Sequence, residues 1–258
     1  MKKILITGVS RGLGKILAEY FSKQGHTVYG TVRNLKGCSD SHNIKYICLD
    51  LENNDSINKA VEQVFKMTDT LDAVIHNAGI AYLDPADVMT DYERRHLFNV
   101  NFFGPINLTE KILPYLRMFG KGKLVFISSI ASVDHWPSLG VYSASKAAFE
   151  CVAFEWAVLL KKWNIDVSII RANPLPTDMQ ILKSVNTTAS PYGSAFCNEL
   201  IWEKTEDVCV LILKILNSSS PKFEYTTGKS SQETIDSILI KDAYQKLLEN
   251  YRNKLNIT

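Results

Sequence analysis

The stretch Lys3-Ile4-Leu5-Ile6-Thr7-Gly8-Val9-Ser10-Arg11-Gly12-Leu13-Gly14 decides how this chain is read. Residues 3–7 read as a buried strand, and the chain then runs directly into three glycines within a seven-residue window. Leu13, Ile16, Leu17 and Tyr20 follow at helical spacing and predict a helix over 12–24. One or two glycines suffice for a tight strand-to-helix turn. Three let the backbone approach a ligand closely, and the helix start beyond them presents unpaired N–H groups and a positive dipole, which together make a phosphate site.

The same alternation continues outward. Further strands are predicted at 27–32, 44–49, 72–76, 122–128, 165–171 and 223–227, with helices near 54–68, 90–118, 141–163 and 205–217. About seven strands separated by amphipathic helices imply an α/β fold, a doubly wound parallel sheet with helices on both faces. Pro114 should kink or loosen the 90–118 helix. No Pro/Gly/Ser-rich linker and no internal repeat divides the 258 residues, so 1–258 is expected to form a single domain. Residues 229–258 carry Ile238, Leu239, Ala243, Leu247, Leu248 and Tyr251 at helical spacing and predict a C-terminal helical tail.

A formal net charge of +2 and a 22% charged fraction, without a basic block or stripe, argue against nucleic acid or an anionic membrane as partner. The apolar run after Met1-Lys2-Lys3 ends at Thr7-Gly8, too short for a secretion signal, and no stretch of about 20 apolar residues spans a membrane. Cys38, Cys48, Cys151, Cys197 and Cys209 include no Cys-x-x-Cys pair and sit mostly in apolar runs. They read as reduced, buried thiols of a cytoplasmic protein. His26, His42 and His96 show no ligand spacing with acids or cysteines, so no metal site is expected. His76, at a strand end, reads as structural.

Tyr142 and Lys146 lie four residues apart, on one face of the helix predicted over 141–163. A phenol titrates near ~10, and a neighbouring cation favours its phenolate, which makes the tyrosine a usable acid–base group. Such a spacing also arises by chance on many helix faces, where it means a lysine stem lying beside a half-buried ring. Ser129, thirteen residues before Tyr142 and at the end of the apolar run Leu124-Val125-Phe126-Ile127, adds a hydroxyl able to hold a substrate.

Taken in order, these motifs resemble those of the short-chain dehydrogenase/reductase family, in its single-domain branch. Thr7-Gly8-x-x-x-Gly12-x-Gly14 resembles that family's cofactor loop, and Asp50 in Cys48-Leu49-Asp50-Leu51 its adenine-contacting acid. Asn77-Ala78-Gly79 resembles its Asn-Ala-Gly turn. Asn101 in Asn99-Val100-Asn101-Phe102-Phe103-Gly104 resembles its catalytic asparagine, and Ser129, Tyr142 and Lys146 match the rest of its tetrad. The resemblance spans residues 4–180 and implies a Rossmann-type sheet. It also implies a nicotinamide cofactor contacted by Gly8, Ser10, Arg11, Gly12, Leu13, Gly14, Asp50, Leu51, Asn77, Ala78 and Gly79, with Tyr142 and Lys146. Where the family usually has Pro-Gly after the sixth strand, this chain has Ala172-Asn173. Asparagine tolerates a left-handed backbone, so a similar turn is expected, with the Leu175 backbone and Thr177 carried over as nicotinamide contacts.

The second strand, Thr27-Val28-Tyr29-Gly30-Thr31-Val32, ends without the acid that would accept from a ribose 2′-hydroxyl. Arg33 follows instead, and Arg11 sits inside the glycine loop, so two guanidinium groups suit a 2′-phosphate and predict NADP(H) over NAD(H). The expected chemistry is interconversion of a carbonyl and a secondary alcohol. Ser129 and Tyr142 hold the oxygen, Tyr142 moves the proton, and Lys146 lowers the tyrosine's pKa and holds the nicotinamide ribose. By the resemblance, Asn101 supports a water linking Lys146 to solvent. A substrate loop over 174–204 and the segments 80–83 and 130–139 are expected to wall the pocket, with Tyr82, His135, Trp136 and Met179, and also Tyr192, Phe196 and Trp202. Such walls suit a hydrophobic or ring-bearing small molecule. His135 reads as a loop residue at the cleft rim or as a second acid–base group. The resemblance further implies a homodimer or homotetramer. Two other readings remain: a 3-oxoacyl-carrier reductase docking through Arg94 and Arg95, and a cofactor-binding regulatory protein without turnover.

Overall fold

A computed structural model of the protein describes residues 1–41, 43–176, 180–182 and 204–228, together with 232, 233 and 236. Its strands are β1 (Lys3–Ile6), β2 (Thr27–Val32), β3 (Ile44–Cys48), β4 (Ala73–His76), β5 (Ile80–Tyr82), β6 (Gly122–Ser129), β7 (Ile165–Ala172), β8 (Gln180–Leu182) and β9 (Glu224–Thr226). Its α-helices are α1 (Gly12–Lys23), α2 (Asn54–Met67), α3 (Asp91–Phe98), α4 (Gly104–Phe119), α5 (Gly140–Leu159) and α6 (Thr205–Asn217). Seven strands form one sheet in the order β3-β2-β1-β4-β6-β7-β9, every pair parallel. The order reverses between β1 and β4, and the crevice outside the carboxyl ends of these strands is where ligands bind in such sheets.

Alternation along the strands explains the two helical layers. Leu5, Val74, Leu124, Phe126 and Ile169 point into a core shared with α2, α4 and α5. Their neighbours Ile4, Ile6, Ile75, Val125, Ile127 and Ile170 point into the opposite core, closed by Leu17 and Phe21 of α1 and Val208 and Ile212 of α6. Each such side chain taken fully out of water contributes about 1.5–3 kcal/mol, so a strand slipped by one residue would expose a whole row of them. A smaller cluster beside the crevice joins Ile80, Ala81, Leu97 and Ala131 to Tyr142.

The doubly wound parallel sheet is as expected from the sequence, and all seven anticipated strands are present. The 90–118 helix is not one helix: α3 gives way to a π-helical turn at Asn99–Phe103 before α4 begins. Pro105 supplies a reason, because it has no N–H with which to give Asn101 its α-helical hydrogen bond. Pro114, by contrast, is accommodated within α4, which runs on to Phe119 and closes on a left-handed Gly120. The short pairing of β5 with β8 was not anticipated. Three-residue strands carry too little pattern to stand out in a sequence. The cysteines also differ from expectation. Cys209 is buried on the inner face of α6, whereas Cys48 and Cys151 are exposed and Cys38 is half-buried; Cys197 lies outside the described residues. The tail at 229–258 lies almost entirely outside them too.

Candidate active site

The glycine loop is built for close approach. Gly8 has φ +73°, in the left-handed region, and a Cβ on Gly14 would stand 2.1 Å from the Gly8 carbonyl oxygen and 2.5 Å from Asn77 Nδ2. No side chain caps α1 at Arg11, so the first-turn N–H groups face outward from the loop. Thr7 Oγ1 accepts from the backbone N–H groups of Asn77 (2.9 Å) and Ala78 (3.0 Å). Asn77 Nδ2 donates in return to the carbonyls of Thr7 (2.9 Å) and Gly8 (3.3 Å). Asn77 thus laces the β1 turn to the β4 turn.

A cleft of about 500 Å³ runs along these strand ends. Gly8, Ser10, Arg11, Gly12, Leu13, Gly14, Arg33, Asp50, Leu51, Asn77, Ala78 and Gly79 all line it, as do Ser129, Trp136, Tyr142, Lys146 and Leu175. A backbone cradle that a Cβ would fill, an uncapped helix start and two guanidinium groups fit a dinucleotide's phosphates.

Tyr142 and Lys146 come from the first turns of α5, and Ser129 from the end of β6. Ser129 Oγ accepts from Ala131 N at 3.2 Å, which leaves its own proton for the hydrogen bond to the Tyr142 hydroxyl. Burial pushes the Tyr142 pKa up, and the Ser129 hydrogen bond pulls it down in part. The contact expected from Lys146 is different here. Its Nζ lies 5.9 Å from the Tyr142 ring centre and donates to the Ile127 carbonyl at 3.0 Å. Burial lowers the Lys146 pKa to about 8, against an opposing pull from Glu150. The group lowering the tyrosine is therefore Ser129, while Lys146 is itself a desolvated cation.

Asn101 sits in the π-helical turn, fully buried. Its Oδ1 accepts from Ile80 N (2.9 Å), and its Nδ2 donates to Ile80 O (2.9 Å) and Ser145 Oγ (3.2 Å). Ser145 in turn donates to the Tyr142 carbonyl at 2.7 Å. The asparagine side chain is thus spent on holding β5 against α5 between Tyr142 and Lys146. Ser145 was missed in the sequence, where a serine inside a helix carries no mark of its partners.

Other expected contacts separate. Tyr82 is buried but does not line the cleft; its hydroxyl pairs with His96 Nδ1 of α3 at 3.0 Å, and His96 Nε2 meets Glu52 at 3.2 Å. His135 is exposed and outside the cleft lining, while Trp136 lines it with its Nε1 on Asp134 at 2.6 Å. Asn173 does not take the left-handed backbone; its N–H is held by Thr227 Oγ1 at 3.0 Å, and the segment continues along the cleft through Pro174 to Leu175. Thr177, Met179, Tyr192, Phe196 and Trp202 lie outside the described residues. His76 is structural as expected: Thr109 Oγ1 donates to Pro105 O (2.8 Å) and so takes the proton of His76 Nε2 (2.9 Å). Burial drives that imidazole's pKa down to about 3. Among the described residues no cluster could hold a metal ion, and no helix is long and apolar enough to cross a membrane.

The short chain dehydrogenase family profile matches residues 2–188. The chain belongs to that family. It is 34% identical over 236 residues to a 3-ketodihydrosphingosine reductase of Bacteroides thetaiotaomicron, covering 87% of each chain. It is 32% identical over 212 residues to an NADPH-dependent 3-dehydrocapnine reductase of Ornithobacterium rhinotracheale, covering 78% of this chain and 74% of that one. The fold matches that of a short chain dehydrogenase from Burkholderia cenocepacia, solved in complex with NADP, with TM-score 0.79 at 23% identity over 97% of each chain. As a member of the family, the protein is an oxidoreductase that takes a nicotinamide cofactor.

A Cβ on Gly14 would push the Gly8 carbonyl and Asn77 out of place, an overpacking that costs about 1–3 kcal/mol and reshapes the loop itself. Gly14→Ala should therefore weaken nicotinamide-cofactor binding about ten- to hundredfold in a fluorescence titration. Wild-type affinity in this variant would show that the loop does not contact the cofactor.

Proposed function

We propose that this protein is an NADP(H)-dependent reductase of a ketone on a hydrophobic substrate, with Ser129, Tyr142 and Lys146 as its reacting constellation and Asn101 as their support. The observation that carries the reading is a buried phenol, hydrogen-bonded to Ser129, on the floor of a cleft that begins at the glycine loop. When bound, the nicotinamide supplies the hydride. Ser129 and Tyr142 hold the substrate oxygen, and Tyr142 gives its proton as negative charge develops there. The Ser129 hydrogen bond favours the resulting phenolate, and Lys146, four residues along the same helix, is the cation that would hold the nicotinamide ribose. Arg11 and Arg33 on the cleft wall support the 2′-phosphate selectivity.

The substrate class is argued from two relatives and the cleft. Both are named as reductases of 3-oxo compounds, one of them a sphingoid base. Ile80, Leu83, Val100, Ile130 and Leu139 give the wall an apolar character that suits an alkyl chain beside the ketone. We infer a long-chain 3-keto base as substrate. Of the two arginines offered for carrier docking, Arg95 is exposed and pairs with Asp91 at 2.7 Å, while Arg94 donates to the carbonyls of Ala86 and Met89.

Steady-state oxidation of NADPH with 3-ketodihydrosphingosine tests this reading. Charge-assisted contacts worth about 1.5–3 kcal/mol predict kcat/KM about ten- to hundredfold higher with NADPH than with NADH. Tyr142→Phe should lose about 10²–10⁴ in turnover while still binding NADPH. A preference for NADH, or an active Tyr142→Phe, contradicts the proposal.

The pH profile follows from the two buried groups. Burial raises the Tyr142 pKa, so its proton is held across the working range, while Lys146 is charged only below about 8. Reductive kcat/KM should therefore be level near neutrality and fall as pH rises through about 8. A profile still rising through pH 9 would show that the Lys146 charge is not needed.

A further inference from the structure

We propose that Glu150 is a positioning residue for this reaction: its carboxylate fixes the end of β6 and the 3-10 turn at Ile130–Ser132, on either side of Ser129, to the helix that carries Tyr142 and Lys146. The inference rests on the function proposed above. Glu150 follows Lys146 by four residues and Tyr142 by eight, so all three share one face of α5. Its Oε1 accepts from Ser128 Oγ at 2.5 Å and from Ser132 Oγ at 2.6 Å. Ser128 immediately precedes the reacting serine. Ser132 follows it by three residues, and its hydroxyl also lies 2.8 Å from the Ser129 carbonyl. Both serines are buried, and Glu150 is only 11% exposed.

Without this acceptor, Ser129 on the sheet and Tyr142 on the helix would be registered by packing, by their own hydrogen bond and by the Lys146 Nζ bond to the Ile127 carbonyl. Two short charge-assisted bonds to one carboxylate give that register a fixed length. The precision matters, because a misplacement of about 1 Å at a reacting group can cost about 10²-fold in rate. Arg171 makes the buried charge tolerable. Its Nε and Nη2 reach Glu150 Oε2 at 3.0 and 2.8 Å, and its Nη1 reaches Glu224 at 2.8 Å. Arg171 is the second-last residue of β7, just before Ala172 and Asn173, which line the cleft, so the same network also ties down that part of the cleft wall. Stability alone is a poor reason for the arrangement, since a buried ion pair is often no better than an apolar pair of similar volume. The carboxylate also holds up the Lys146 charge against burial.

Two double variants separate positioning from charge. In Glu150→Met/Arg171→Met both charges leave together, so no unpaired ion is stranded, and the serines lose their acceptor. In Glu150→Gln/Arg171→Met the amide oxygen still accepts from both serines. The first should lose about ten- to hundredfold in kcat for NADPH-dependent ketone reduction with unchanged NADPH affinity. The second should recover most of that loss. Ser128→Ala/Ser132→Ala, which removes only two hydroxyls, should lower kcat likewise at unchanged NADPH affinity and carries the test if the methionine pair does not fold. Wild-type kcat in the methionine pair or in the serine pair, or a glutamine variant as slow as the methionine one, overturns the inference. Wild-type protein that turns over while these variants match it sinks the role of Glu150 alone. Wild-type protein without turnover sinks the proposed function and this inference with it.

Discussion

The site depends on how the open ends of β1 and β4 satisfy their backbone. Where two parallel strands part at a switch point, the last amides have no ladder partner, and buried N–H groups without acceptors are costly. Thr7 Oγ1 takes two of them, from Asn77 and Ala78, and Asn77 returns hydrogen bonds to the carbonyls of Thr7 and Gly8. That exchange fixes the glycine loop against the Asn-Ala-Gly turn. It also sets Gly79 where a Cβ would come within 3.3 Å of Asn101 Oδ1 and 3.6 Å of Lys146 Nζ, so the glycine-loop end and the Lys146 end of the cleft share one scaffold.

Desolvation is the second constraint. Tyr142 and Lys146 are both taken out of water, which raises one pKa and lowers the other. Both shifts favour the neutral phenol and the neutral amine, and the hydrogen bond from Ser129 is what offsets the cost of a phenolate here. Asn101, Ser145 and the Ile80 backbone hold this pair from one side, while Ser129 touches it from the other.

Much of this was legible in the sequence for stated reasons. Apolar runs of strand length between helical periods gave the sheet, because burial on both faces leaves an unmistakable pattern in β1, β6 and β7. The glycine spacing and the order of Ser129, Tyr142 and Lys146 located the cleft, while Asn101 stands buried next to Gly79 and outside its lining. What stayed hidden were residues whose roles are set only by three-dimensional partners: Ser145, Glu150 and Arg171 carry ordinary side chains in ordinary patterns. Tyr82 misled because a tyrosine beside a cleft can face either way, and its hydroxyl found His96 on α3. The π-helical turn was hidden too, although Pro105 was a signal for it.

The account holds that this cleft carries hydride from a reduced nicotinamide to a ketone carbon while the protein delivers the proton. Single-turnover reaction of the purified protein with NADPH deuterated at one face of C4 and 3-ketodihydrosphingosine, analysed by mass spectrometry, tests that directly. The expected result is one deuterium on the new carbinol carbon from one of the two labelled faces only. An alcohol product without deuterium from either face, or no product at all, would contradict the account.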